Sequence, residues 1–388
     1  MENTNPDLAI FVHSNSYGGT ERHTLELVSH IDSERLSADF FYSGEGFNGH
    51  IPSGYPSVRA NKVESKVQKL TQQDIEVWRK ILKENRAKRA LLVKPSYFSI
   101  DLKLLFLLRF KYRELIVIEH SLPPRRPLLP RIGFIPKVGY WRLKNELIKY
   151  LYYKLVDRVI AVSDIGKTEL YAHTFYKDVK VCGNGINTEF WVRDAKRGVE
   201  FRTRNGINSD LHVFGCVGNL FTGKAFHVAI QALSMLSELD RKRVALCIVG
   251  VGPEHENLKA LAERLNLENV FFVGKQFDMV AAYSAMQTLL ITSISESAPL
   301  TVLEATACGC DILSSNVGNC AEVINEMNNG VVINSHDPEV WAKEIASYLT
   351  ESKYKNEDCQ PSFMTKFKQK YSIEKTMSNL LSTIMHND

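Results

Sequence analysis

Short apolar runs of strand length alternate along this chain with segments whose apolar residues recur at helical spacing, the pattern of a parallel sheet with crossover helices. In the first half the strand-like runs are LAIFVH (8–13), DFFYS (39–43), ALLVKP (90–95), LIVIEH (115–120) and RVIAVS (158–163). Between them, 20–31 gathers Leu25, Leu27, Val28 and Ile31 near one helical face, and 71–85 gathers Ile75, Trp78, Ile81 and Leu82 on another. After a polar, charge-dense stretch over 193–209, which reads as a linker, the rhythm restarts. Its strands are VFGCVG (213–218), ALCIVG (245–250), VFFVGK (270–275), LLITSI (289–294), DILSS (311–315) and VVINS (331–335), with a helix expected over 226–239. The runs are apolar throughout, so both faces of each strand are covered.

The expected fold class is α/β, with two Rossmann-like, doubly wound parallel-sheet domains facing each other across a cleft. The first spans 1–195 and the second 208–360, and a C-terminal helix over 363–385 packs back on the first. Ligands of such sheets sit beyond the carboxyl ends of the strands, where loops meet helix N-termini. The loops at those ends are therefore where chemistry is sought.

Composition adds boundaries. At 388 residues the chain is long for one core, and 44% hydrophobic with 24% charged residues describes an ordinary folded protein. No apolar stretch approaches the roughly 20 residues of a spanning helix, and the polar N-terminus carries no secretory pattern, so a cytoplasmic location is expected. The 7 cysteines are odd in number, form no CxxC pair and sit mostly inside strand-like runs, as reduced core residues do. Net charge is only +4, yet Lys103 to Lys154 carries 12 Lys/Arg against 3 Glu. Within it, 123–154 interleaves basic residues with Phe134, Tyr140, Trp141, Tyr150, Tyr152 and Tyr153. Such a stretch suits an anionic membrane surface, here the inner face of the plasma membrane. No recognition motif accompanies the charge, so nucleic acid is not an expected partner.

Four loops carry candidate chemistry. Gly18 and Gly19, in NSYGGTE (15–21), join the first strand to the first helix and suit an anion, although a plain tight turn has the same composition. GEGFNG (44–49) has dinucleotide-loop spacing, but Pro52 and Pro56 forbid the helix that fingerprint requires, and it reads as a loop. GNLFTGKA (218–225) nearly matches a phosphate loop, with Ala225 where a magnesium-binding hydroxyl belongs. Its Lys224 is a cation in a glycine loop ahead of a helix, suited to a diphosphate. ESAPLTVLE (296–304) follows a strand; Pro299 suits a helix start, and the N–H groups of Leu300, Thr301 and Val302 are then open to a ligand. Glu296 lies in the loop and Glu304 about one turn into the helix, close enough for both to reach one elongated polar ligand.

The run ESAPLTVLEATACGCDILSSNVGNCAEVI (296–324) resembles the retaining GT-B glycosyltransferases of family 4, whose signature is two glutamates eight residues apart, a cysteine-glycine turn and a glycine loop before EVI. NSYGGTERHTLEL (15–27), VSDIGKTEL (162–170), GNGINTEFW (183–191), VGNLFTGKAFHVAIQAL (217–233) and IVGVGPEHENLKALAERL (248–265) are similar to the family in its order. The resemblance implies a nucleotide-diphosphate sugar held mostly by the second domain, with UDP-sugars favoured. Lys224 would bind the diphosphate, Glu304 the ribose and Glu296 the transferred sugar; Ser297, Pro299, Leu300, Thr301 and Gly252 would complete the donor site. Gly18 and Gly19 would close on it from the first domain, and His120 would reach the donor sugar, though by itself a histidine at a strand end reads as a core or capping residue.

The family usually places Arg five residues before the lysine, where this chain has Asn219; Arg22, Lys275 or Arg264 could supply the missing cation. The chain holds no DxD motif, and neither metal nor cofactor is expected. The implied acceptor is a glycan or lipid-linked glycan in bacterial surface polysaccharide or lipopolysaccharide assembly. Rival readings are a catalytically silent sugar-nucleotide binding module, motivated by Asn219, a phosphate-loop hydrolase using 218–224, and a nucleotide-sugar epimerase.

Overall fold

The structure, a computed structural model, describes residues 5–15, 17–51, 55–65, 70–94, 102–120, 150–174, 176, 178–350 and 361–386. It divides into two units, Met1–Asn184 with Thr376–Asp388, and Gly185–Lys375. The first holds a seven-stranded parallel sheet of β1 (Leu8–His13), β2 (Ala38–Ser43), β3 (Val58–Lys62), β4 (Arg89–Lys94), β5 (Glu114–Glu119), β6 (Arg158–Ala161) and β7 (Val179–Val181). Their order is β3-β2-β1-β4-β5-β6-β7. The second holds β8 (His212–Val217), β9 (Val244–Val249), β10 (Val270–Gly274), β11 (Thr288–Ile291), β12 (Asp311–Ser315) and β13 (Gly330–Ile333), in the order β10-β9-β8-β11-β12-β13. Each order reverses direction once, between β1 and β4 and between β8 and β11. Those two switch points are where a doubly wound sheet opens a ligand crevice.

The apolar runs are central strands buried on both faces: all six residues of β9 and the first five of β1 are buried. Two strands lie outside the apolar pattern, and both are edges. β3 reads VRANK, with one buried residue followed by four exposed ones, and β7 is three residues long. A strand that buries only its first residue, or that is three residues long, leaves no apolar run in the sequence. Helix Gln72–Glu84 starts at Thr71, whose hydroxyl accepts from Asp74 N while the Asp74 carboxylate accepts from Thr71 N, and it buries Trp78 6.0 Å from the Phe11 ring. The loop 44–50 forms turns, with Gly44 at φ +81° and the Ser14 carbonyl where a Cβ would stand.

Three boundaries differ from the sequence expectation. The division falls at Asn184/Gly185, and the stretch read as a linker contains helix Ala195–Arg204, capped by Asp194, which accepts from Arg197 N. Its charge density misleads because Arg202 is buried, donating from Nε to Ala285 O at 2.8 Å and from Nη2 to Gln287 Oε1 at 2.7 Å. The helix expected over 226–239 ends at Ser234, before a short helix Glu238–Arg241. The single helix expected over 363–385 is two, Pro361–Tyr371 and Ile373–Met385. At Ser372 the chain bridges to Ile186, whose N–H donates to Tyr371 O and whose carbonyl accepts from Ile373 N, both at 2.9 Å. The earlier helix buries Phe367 in the second unit's core, and only from Thr376 does the chain join the first unit. A break set by a pairing 186 residues away in sequence leaves no local periodic trace.

Candidate active site

The second unit's switch point brings together two loops that the sequence singled out separately. After β8 the chain runs through Gly218 to a 3-10 turn, Thr222–Lys224, and Ala225 at φ +49° then opens helix Phe226–Ser234. After β11 it runs through Ser293 to Glu296. Ile294 N donates to Gly223 O at 2.9 Å and Thr292 Oγ1 to Lys224 O at 2.8 Å, tying the loops together. Lys224 Nζ then meets Glu296 Oε1 at 2.5 Å, and Ser293 Oγ donates to the same oxygen at 2.8 Å. The side chains are 27% and 17% exposed, so the pair is shielded but reachable. The lysine stem lies across Gly218, where a Cβ would stand 3.3 Å from Lys224 Cε.

Neighbouring elements shape the rest. Pro299 sits at the cap of helix Leu300–Ala307 with ψ 125°, one position before the helix rather than inside its first turn. It offers no side-chain acceptor, so the first-turn N–H groups of Leu300 and Thr301 lack a cap. Gly318, at φ +52°, lets the next loop press on this segment: a Cβ would come 2.8 Å from Ser297 O and 2.9 Å from Pro299 Cδ. Gly252 acts through backbone packing, since a Cβ there would meet Leu220 N and O within 2.7 Å. Glu304 is the furthest from the surface, 5% exposed, and Tyr283 Oη donates to its Oε2 at 2.9 Å. Burial and that carboxylate hold the Tyr283 phenol well above its ordinary range. Ala225 is buried and has no hydroxyl, which does not suit a magnesium-dependent phosphate loop.

Asn219 is exposed, its carbonyl accepting from Phe221 N at 2.9 Å. Of the cations considered as replacements in this unit, Lys275 lies over the Phe277 ring at 5.4 Å and Arg264 closes helix His255–Arg264, and neither is bonded to Glu296. Sequence reasoning passed over a row of exposed apolar side chains at these strand ends: Phe221 after β8, Val251 after β9, Phe277 after β10 and Ile294 after β11. Among the described residues no three of His, Cys, Asp and Glu converge as metal ligands.

In the first unit, His120 follows β5 and meets His23 of helix Gly19–Ser33 edge-on, with ring centroids 4.7 Å apart. Its Nε2 is buried without a partner among the described residues. Burial, then the neighbouring His23, holds His120 well below the ordinary histidine range; burial takes His23 from 6.5 to about 4. Both rings are therefore neutral at physiological pH. Because the folded state resists protonation, stability is complete above 6.5 and falls as pH drops toward 4. Replacing His23 with Phe should flatten part of that decline, read as thermal midpoint against pH.

Gly18 caps helix Gly19–Ser33 without a side-chain acceptor, so that helix start is also open. Below it lies a network absent from the sequence reading: Lys94 Nζ meets Glu119 Oε1 at 2.7 Å and Tyr153 Oη donates to the same oxygen at 2.7 Å. The aromatic, basic stretch 123–154 lies outside the described residues up to 149; of its end, Tyr150 and Leu151 are exposed while Tyr152 and Tyr153 are buried. Among the described residues no helix is long and apolar enough to cross a membrane.

Two parallel sheets with single switch points, each in its own unit, define the GT-B class. HepE of Anabaena, solved with UDP and glucose, shares the fold with a TM-score of 0.76 at 17% identity, covering 99% of this chain and 100% of that one. WaaG, a glycosyltransferase involved in lipopolysaccharide biosynthesis, gives 0.71 at 18%, covering 98% and 100%. The family described as "Glycosyl transferases group 1" matches residues 199–360 and "Glycosyltransferase Family 4" matches residues 17–190. The chain belongs to the GT-B glycosyltransferases of family 4. It is also similar to the D-inositol 3-phosphate glycosyltransferase of Corynebacterium glutamicum (strain R), 28% identical over 211 residues, 50% of each chain. That of Thermobispora bispora is 29% identical over 208 residues. The match spans about half the length of these curated relatives.

Proposed function

We propose that this protein is a retaining glycosyltransferase that moves a sugar from a nucleoside-diphosphate donor, a UDP-sugar in preference, to a glycan or lipid-linked glycan in bacterial surface polysaccharide assembly. The observation that carries this reading is the Lys224–Glu296 pair at 2.5 Å, at the switch point beside the uncapped helix at Leu300. In transfer an acceptor hydroxyl oxygen bonds to the sugar's anomeric carbon as the bond from that carbon to the phosphate oxygen breaks; the electron pair stays on the phosphate oxygen, which takes up the hydroxyl proton. Lys224 and the N–H groups of Leu300 and Thr301 neutralise the growing charge, and the proposal assigns no metal or cofactor to that task. Glu296 uses Oε1 for Lys224 and Ser293, which leaves Oε2 to accept from hydroxyls of the donor sugar. Buried Glu304 takes the ribose, and the base lies against the apolar row that includes Val251 and Phe277. Within the first unit, the residues we assign to the reaction are the neutral His120 with Gly18 and Gly19.

A second reading, binding without turnover, is favoured by Asn219, which offers no bidentate cation to the leaving phosphate. A thermal-shift panel of UDP, GDP, ADP, CMP and dTDP, each with chelator and with magnesium, tests the proposal. UDP should raise the midpoint equally in both, by about 2.7 kcal/mol of stabilisation at a hundredfold excess over Kd. A rise only with magnesium moves the assignment to a hydrolase, and no rise with any nucleotide sinks both readings. Sugar transfer or donor hydrolysis then separates the enzyme from the silent binder.

A further inference from the structure

The first unit carries a polar cavity of about 600 Å3 at the amino-terminal end of its sheet. Glu114 opens β5 there, whereas His120 follows the other end of the same strand. The cavity is built around that carboxylate. Arg89 Nε donates to Glu114 Oε2 at 2.9 Å and Arg158 Nη2 to Oε1 at 2.8 Å. Strand register makes this arrangement: Arg89 and Glu114 are direct partners in the β4–β5 pairing, and Arg158 opens β6. One carboxylate cannot neutralise two guanidiniums, so the floor keeps a positive charge. Arg158 Nη1 also donates to the carbonyls of Thr383 and His386, making the end of helix Ile373–Met385 one wall.

Three further cations line the cavity, and these carry the argument. Lys88, Arg113 and Lys180 are exposed, and among the described residues none has a side-chain hydrogen bond or ion pair. The opposing acids are fewer and partly occupied. Asp157 accepts from Leu115 N at 2.8 Å and pairs with Arg109 at 3.2 Å, which leaves Asp178. Cations gathered around a concavity without their own counter-ions repel one another, and an anion placed among them removes that repulsion. The volume falls in the range of small-molecule sites, about 300–1,000 Å3. The lining holds no apolar side chain, which excludes a greasy ligand and suits a hydrophilic one with several oxygens.

We propose that this cavity binds a phosphate-bearing polyanion, as a ligand site separate from the donor site of residues 218–304. Arg113 presents a fork to two phosphate oxygens, and Lys88 and Lys180 supply mobile point charges around it. Because the C-terminal helix forms a wall, the bound anion also fastens that helix end to the sheet.

Tripolyphosphate is the probe, titrated in chelator into the Lys224→Gln variant so that the donor phosphate site does not contribute. Saturable binding with a raised thermal midpoint is expected, weakening as salt is added. Adding Lys88→Gln, Arg113→Gln and Lys180→Gln should weaken it about tenfold or more, the equivalent of about 1.4 kcal/mol. All three side chains are exposed and their mutual repulsion is relieved, so the ligand-free midpoint should not fall, which a melt verifies. Binding that survives the three substitutions undiminished, or no binding to Lys224→Gln at all, overturns the proposal. Sedimentation with phosphatidylcholine vesicles containing phosphatidate identifies the source of the phosphate. A difference between the two proteins assigns it to a lipid headgroup, and equal sedimentation assigns it to a soluble ligand.

Discussion

Replacing Lys224 with Met should lower kcat for sugar transfer by about a hundredfold to a thousandfold, the range found when one fixed donor to a developing oxyanion is removed. The effect should fall on kcat more than on KM, because charge on the leaving phosphate grows toward the transition state and an ammonium gains most there. Lys224 is held by the Glu296 contact at 2.5 Å and by its stem on Gly218, so little reorganisation precedes the reaction. The pair is partly exposed, and its loss should move the thermal midpoint little. A large fall in midpoint with kcat intact would instead make the pair a structural tie between two loops. Glu296→Gln sharpens the distinction. It keeps an acceptor for Lys224 and for Ser293 Oγ, so the loops stay joined, while the negative charge is removed. If Glu296 steadies the donor sugar through its carboxylate, this variant also loses transfer with the fold unaltered.

The residues of that site were legible because each stands in a loop between an apolar run and a helix, a position read directly from periodicity. Sequence could place Lys224 in a glycine loop and Glu296 after a strand. It could not join them, since β8 and β11 become neighbours only through the reversal of strand order. Glu304 shows the opposite limit. Its spacing from Glu296 was visible, but its burial and its bond to Tyr283 depend on the short helix Met279–Ser284, which no pattern links to it. Strands β3 and β7 were invisible because β3 buries only its first residue and β7 spans three, and the break at Ser372 because its cause is a bridge to Ile186. Charge misled once: Arg202 reads as solvent-facing in a linker, yet it is buried and satisfied by carbonyls of distant segments. Periodicity reports burial along one element, and these exceptions all arise from contacts between elements.

The Lys94–Glu119 pair is such a contact, and it carries the largest expected effect on stability. Lys94 and Glu119 are partners in the β4–β5 register, 3% and 1% exposed, with the Lys94 ammonium 4.3 Å from the Tyr152 ring centroid. Lys94→Met should cost about 3–5 kcal/mol, because it leaves a buried carboxylate without its cation. For a unit of this size that is a fall in thermal midpoint on the order of 10 °C. Removing all three polar partners together, as Lys94→Met, Glu119→Leu and Tyr153→Phe, should recover most of the stability, since a buried ion pair replaced by apolar groups of similar volume is close to neutral. That recovery would mark the network as a choice of register and chain position at the end of β4 and β5, held in place by the cost of removing any one member.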